Sequence, residues 1–232
     1  MPLNWSTTEK EAVTHGIKCM VHAPSGHGKT TLCGTLPSPL ILSAESGLLV
    51  LRNKNIPVLK IETYQDFLDA YHWCKGSTEA KQHFASIAMD SVTEIAEVLL
   101  AAIKLTVKDP RQAYGQIIED MLKLVRAFRD IPGFHVFHCY KHEQIKDEGT
   151  GIMKGGPMMP GSKLGNQVPY FYDEVFYLGV AKDAAKGTQF RYLQTQPDMS
   201  YVAKDRSNTL DMYEKPDMTY IIEKILSGVK KQ

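Results

Sequence analysis

The run Ala23-Pro24-Ser25-Gly26-His27-Gly28-Lys29-Thr30 constrains this chain more than any other segment. It matches the pattern G-x-x-x-x-G-K-[ST], with Ala23 in place of the first glycine. That position needs only a small residue where strand becomes turn. The context agrees: Gly16 to Ala23 is apolar and strand-like, and Lys29 to Gly34 opens a helix that Pro37 stops. Strand, glycine turn and helix in that order make a phosphate cradle. Backbone N–H groups from Ser25 to Thr30 can wrap a β-phosphate, and Gly26 and Gly28 let the backbone approach it. Lys29 reaches the β- and γ-oxygens, and the Thr30 hydroxyl is a Mg²⁺ ligand. The expected nucleotide-holding set is Pro24, Ser25, Gly26, His27, Gly28, Lys29, Thr30 and Thr31.

The rest of the 232 residues reads as alternating strand and helix. Apolar strand-like runs occur at 40–43, 58–61, 84–89 and 134–140. Between them, Gln65 to Lys75 has helical spacing, as do Ile95, Val98, Leu99, Ala102 and Ile103. Ile117, Ile118, Met121, Leu122, Val125 and Phe128 make another helical face. Strands separated by helices imply right-handed βαβ units and a mainly parallel sheet covered on both sides. After residue 169 the strands crowd together at 174–180, 190–195 and 201–203, as antiparallel strands at a sheet edge would, and a last helix spans 218–226. Between them and the earlier pattern, residues 149–169 hold six glycines and three prolines. This predicts a long mobile or functional loop.

Composition narrows the class without choosing the function. Lys+Arg and Asp+Glu total 27 and 26, a formal charge of +1, which argues against a polycation coating nucleic acid but leaves room for a local basic groove. No stretch approaches the roughly 18 consecutive apolar residues of a membrane span, and Met1 to Lys10 has no signal-peptide core. The four cysteines, Cys19, Cys33, Cys74 and Cys139, are too dispersed for a zinc knuckle. A reducing cytoplasm without disulfides is expected. His135 and His138, three apart in a strand, point to opposite faces and make a poor metal pair.

Two acids complete the phosphate site. The strand Phe84 to Met89 ends in Asp90, placed to hold a Mg²⁺ shell. The next residue is Ser91 rather than a glutamate, so a hydrolytic base must come from elsewhere. Glu45 ends the strand-like run after the cradle helix. In a parallel sheet it lies on the same carboxyl edge as Lys29 and Asp90, able to orient or deprotonate water. Taken alone, Asp90 has a second reading as a helix cap, and Glu45 as a first-turn glutamate.

With these residues in view, the chain resembles the RecA-like recombinases, whose catalytic glutamate ends the strand after the P-loop helix and whose strand-end aspartate is followed by serine. The resemblance runs from about Gly16 to Arg206. More narrowly, it resembles small phage-encoded RecA-type nucleotide-binding and single-strand annealing proteins, through Asp90-Ser91-Val92-Thr93-Glu94-Ile95, Asp109-Pro110-Arg111-Gln112-Ala113-Tyr114-Gly115 and Lys204-Asp205-Arg206-Ser207 in that order.

The resemblance implies an α/β RecA-like P-loop NTPase core over residues 1–232, with 1–15 as an N-terminal extension and 143–169 as a glycine-rich mobile loop. It implies ATP and Mg²⁺, and a homo-oligomeric ring or filament with sites shared between subunits. Lys204 and Arg206 would reach a neighbour's γ-phosphate as an arginine finger does. His138 is the first choice of γ-phosphate sensor, with Lys141 and His142 as competitors. Two loops would grip single-stranded DNA, one through Lys108, Arg111 and Tyr114, the other through Lys154 and Lys163. The expected activity is annealing or strand exchange in phage recombination, in the host cytoplasm, beside a single-strand-binding protein. A ring helicase motor, a nucleotide kinase and a non-catalytic ATP-ordered DNA-binding module are the alternatives.

Overall fold

A computed structural model describes residues 5–8, 10, 14–45, 47–147 and 149–228. The N-terminal extension lies partly outside the described residues. The observed class is the expected one, a mainly parallel α/β sheet with antiparallel strands at one edge. The elements are β1 (Lys18–His22), α1 (Lys29–Cys33), β2 (Pro39–Ser43), β3 (Val58–Lys60), α2 (Tyr64–Gly76), α3 (Thr78–His83), β4 (Ser86–Asp90), α4 (Val92–Lys104), α5 (Pro110–Arg129) and β5 (His135–Tyr140). They continue with β6 (His142–Lys146), β7 (Met153–Pro157), α6 (Ser162–Gln167), β8 (Glu174–Lys182), β9 (Gln189–Gln194), β10 (Lys204–Asp205), β11 (Tyr213–Glu214) and α7 (Met218–Ser227).

The main sheet runs β11-β9-β8-β1-β5-β4-β2-β3, with β10 also pairing β8. β8, β1, β5, β4, β2 and β3 are parallel to one another, and β9, β10 and β11 pair antiparallel. The period-2 alternation of side chains splits the core in two. Met20, Leu42, Met89 and Tyr140 face one layer, filled by Phe67 of α2, Ile95 of α4 and Phe128 of α5. Cys19, Val21, Ile41, Phe137 and Cys139 face the other, filled by Leu32 of α1 and Ile221 of α7.

Local chemistry sets the helix starts. Ser91 caps α4, accepting from Glu94 N at 3.2 Å. Asp109 caps α5 with Pro110 at its first position. Gly228, at φ 63°, closes α7 in the left-handed conformation. No helix among the described residues is long and apolar enough to cross a membrane.

The glycine-rich span, expected as a mobile loop over 143–169, carries regular structure. β6 and β7 form an antiparallel hairpin, followed by α6 and a 3₁₀ turn at Val168–Phe171. The glycines serve packing. A Cβ on Gly155 would lie 2.4 Å from His142 Cε1 and 2.8 Å from Tyr201 Cδ1, and one on Gly156 2.4 Å from Ile145 Cδ1. Gly155 N donates to Ser200 O at 2.7 Å and Val202 N to Gly155 O at 2.9 Å, which stitches the hairpin to the segment before β10. His142 and Tyr201 cannot easily retreat, because His142 stacks on His22 and Tyr201 on Tyr177, the latter with ring centres 3.6 Å apart. Gly155→Val should therefore destabilise the protein by about 1–3 kcal/mol, read as a lower midpoint in urea. An unchanged midpoint would mean that the span does not pack as described.

Candidate nucleotide site

The turn after β1 is shaped by two residues in backbone conformations that favour glycine, Gly26 at φ 79° and Gly28 at φ 104°. Lys29 Nζ folds back to donate to Ala23 O at 2.8 Å and Pro24 O at 3.2 Å. The loop is also held from outside. His27 Nδ1 lies 3.0 Å from Leu178 O of β8. Arg191, from β9, donates through Nε to His27 O at 2.7 Å and through a terminal nitrogen to Gly26 O at 3.5 Å. The same guanidinium gives a second reason for glycine at 28, since a Cβ there would stand 3.1 Å from Arg191 Nε.

Beside the loop lies the acid pair. β5 separates β1 from β4, so Asp90 sits one strand away from the cradle, and Ser43 of β2 pairs with Asp90 in register. Asp90 is 4% exposed. Burial pushes its carboxyl above the usual range and the nearby Glu45 charge adds to this, while the Thr30 hydroxyl and Lys29 oppose it. Glu45 is held in place at the edge. Ser43 Oγ donates to Glu45 O at 2.8 Å and accepts from Glu45 N at 3.2 Å, and Ser91 Oγ donates to Glu45 Oε1 at 2.9 Å. Lys29, Thr30, Glu45, Asp90, Lys141 and Arg191 all line one cavity of about 550 Å³, together with the loop from Ala23 to Gly26 and Gly28 to Thr31. The donor set fits a nucleotide with a hard divalent cation: a glycine turn, a lysine whose contacts are loop carbonyls, and a buried carboxylate beside a hydroxyl.

The predicted sensor His138 is not in this cavity. It lies within β5 opposite Met20 and Met89, where its Nδ1 is 2.5 Å from Tyr172 Oη and Tyr140 Oη is 2.6 Å from the same oxygen. Burial lowers its pKa to about 3, making it a neutral core group. The physical reason is position along the strand: the sheet edge comes after Tyr140, so Lys141 and His142 reach the cavity instead. Lys141 Nζ is neutralised by Glu94 at 2.5 Å and Glu97 at 2.7 Å. His142 Nδ1 is 3.0 Å from His22 Nδ1. Val202 O, 2.8 Å from His22 Nε2, requires the proton there, which leaves His22 Nδ1 to accept from His142. Burial keeps His22 neutral, with a pKa lowered to about 3.

The remaining predicted residues lie elsewhere. The cradle follows His22, whose partner is Tyr177, whereas β10 pairs Lys204 with Val175 and Asp205 with Glu174, at the start of β8. There Lys204 Nζ donates to Pro169 O at 2.8 Å and Arg206 pairs with Asp173 at 3.0 Å. Neither reaches the phosphate loop of its own chain. Lys154, bridged to Asp147 at 3.4 Å, and Lys163 line a second cavity of about 530 Å³ that also contains Lys204 and Tyr170. Lys108 and Arg111 are exposed beside the start of α5, and Tyr114 lies under Lys104 with Nζ 4.9 Å from its ring centre. These three do not join the lysine cavity. Arg191 had no sequence signal, because the position of an antiparallel edge strand beside the loop is set by tertiary pairing.

Residues 15–207 match the family described as an AAA domain, and since the match spans well over half of the chain, the chain belongs to that family. Its loop and sheet are those of a P-loop nucleotide-binding core. Among solved structures, a KaiC-like protein from the hyperthermophilic archaeon Pyrococcus horikoshii OT3 is similar, at 13% identity and a TM-score of 0.41, with 77% of each chain covered. No curated protein matches the chain.

Arg191→Ala frees two loop carbonyls from their charged partner. It should weaken ATP binding about tenfold in calorimetry, the worth of roughly 1.4 kcal/mol of charge-assisted hydrogen bonding. Unchanged affinity would remove Arg191 from the site.

Proposed function

We propose that the chain binds ATP with Mg²⁺, hydrolyses it with Glu45 as the base, and couples this to single-stranded DNA in an oligomer. The observation that carries the reading is the position of Glu45, fixed by Ser91 on the cavity wall shared with Lys29 and Asp90. Lys29 would exchange the Ala23 and Pro24 carbonyls for phosphate oxygens. Thr30 and Asp90 would hold the Mg²⁺, which supplies charge neutralisation when bound. Glu45 would take a proton from the attacking water, with the Ser91 hydroxyl steadying the oxygen that does not.

Lys204 and Arg206 do not line the cavity of their own cradle, which suits a role at a neighbouring subunit's phosphates. Lys154 and Lys163, with Tyr170, offer cations and an aromatic for a tracked phosphodiester strand, and Lys108, Arg111 and Tyr114 offer a second contact. The route from nucleotide to DNA would be short. His142, on the cavity wall, opens β6; β7 carries Lys154; and His142 is bonded to His22 at the end of β1. The activity this serves would be annealing or strand exchange between complementary single strands.

The test is ATP hydrolysis with and without single-stranded DNA. The wild type should be stimulated, and Glu45→Gln should lose turnover by two to four orders of magnitude, roughly the range for a general base. Arg206→Ala should keep ATP binding but hydrolyse slowly, and mixing it with Glu45→Gln should restore part of the rate. Replacing Lys154 and Lys163 by Ala should lower the salt slope of DNA binding by about one per lysine. Unchanged turnover in Glu45→Gln would remove it as base, and absence of DNA stimulation would contradict the coupling.

A further inference from the structure

Beneath the phosphate cradle lie two cysteines that the nucleotide site does not use, beside Asp90, which it does. Cys33, the last residue of α1, and Cys139, in β5, place their sulfurs 3.4 Å apart. Asp90 is the third member. One ligand atom from each residue lies within 4.8 Å of the others, and the exposures are 0%, 0% and 4%. The three come from three different elements, so the tertiary fold, not a local turn, brings them together. The Cys139 sulfur and burial push the Cys33 thiol well up, and burial pushes Cys139 up, so the pair rests as two hydrogen-bonded thiols.

Two sulfurs and one carboxylate oxygen form a mixed donor set. Mg²⁺ takes oxygen ligands in near-octahedral geometry, whereas Zn²⁺ and Cd²⁺ accept thiolates with a carboxylate in tetrahedral sites. Asp90 lines the nucleotide cavity, while neither cysteine does. Asp90 therefore connects the group to that cavity. We propose that Cys33, Cys139 and Asp90 form a site for a soft divalent cation of the Zn²⁺ class. Its occupation releases the two thiol protons to solvent, leaving two thiolates and one carboxylate around the dication. The cation ties the end of α1 to β5 and turns Asp90 away from Thr30. On the reading given under Proposed function, it therefore excludes Mg²⁺ from the nucleotide site and inhibits turnover.

The experiment titrates the full nucleotide-free chain with Cd²⁺ and follows the ultraviolet thiolate-to-metal charge-transfer band. The wild type should saturate at one Cd²⁺ per chain, with Zn²⁺ displacing the signal. Cys33→Ser combined with Cys139→Ser should lose the band while the far-ultraviolet circular dichroism stays unchanged. Asp90→Asn should keep a band with affinity roughly tenfold lower or worse. If the serine variant fails to fold, Cys33→Ala with Cys139→Ala and Cys19→Ala with Cys74→Ala decide: the band must vanish in the first pair and persist in the second. No band in the wild type, or a band that survives loss of Cys33 and Cys139, overturns the site. Because the band needs no nucleotide, a protein that binds Cd²⁺ in this way but never ATP would keep the cation site and discard the nucleotide reading.

Discussion

β1, β5, β4 and β2 run parallel, and everything at the site depends on it. Each strand's carboxyl end emerges on one edge, so the loop after β1, Asp90 at the end of β4 and Glu45 after β2 come together without a long connection. The pairing of Ser43 with Asp90 fixes the height of the two acids. The insertion of β5 between β1 and β4 sets the spacing between cradle and acids and makes room for the cavity. A one-residue slip in β4 would turn Asp90 to the opposite face and remove it from the Thr30 hydroxyl.

Charge is arranged against the cost of burial. Asp90 is nearly enclosed, and its nearest acid neighbour, Glu45, makes ionisation harder. Lys29 and the Thr30 hydroxyl offset only part of that, so the site is built to receive positive charge. Lys141, the other cation on the wall, is already neutralised by Glu94 and Glu97 and contributes little field. Arg191 donates to two loop carbonyls and so braces the loop from β9.

The phosphate loop was legible in the sequence because its chemistry is local: glycines, lysine and threonine at fixed spacing inside one strand-turn-helix unit. Asp90 was legible for the same reason, as an acid ending an apolar strand. The helices over Phe67, Ile95 and Ile117 showed in their periodicity. What was hidden depends on partners distant in sequence. The glycines at 155 and 156 look like loop residues until Tyr201 and Ile145 are seen packed against them. His138 and His142 look interchangeable until the end of β5 is known to the residue. Arg191 carries no motif at all, and its contact with His27 spans 164 positions. The short helix α3 and the hairpin β6–β7 also escaped, the first for lack of a full apolar face and the second because its turn is drawn by Asp147, which accepts from Gly149 N at 3.1 Å and Thr150 N at 2.8 Å.

The central physical statement is that the turn between β1 and α1 holds a triphosphate through Lys29. Isothermal titration of the wild-type chain and of Lys29→Ala with ATP and Mg²⁺ tests it most directly. One saturable site in the wild type, lost in a Lys29→Ala variant with unchanged circular dichroism, is the predicted result. Equal heats and affinities from the two proteins, or none from a folded wild type, would contradict it.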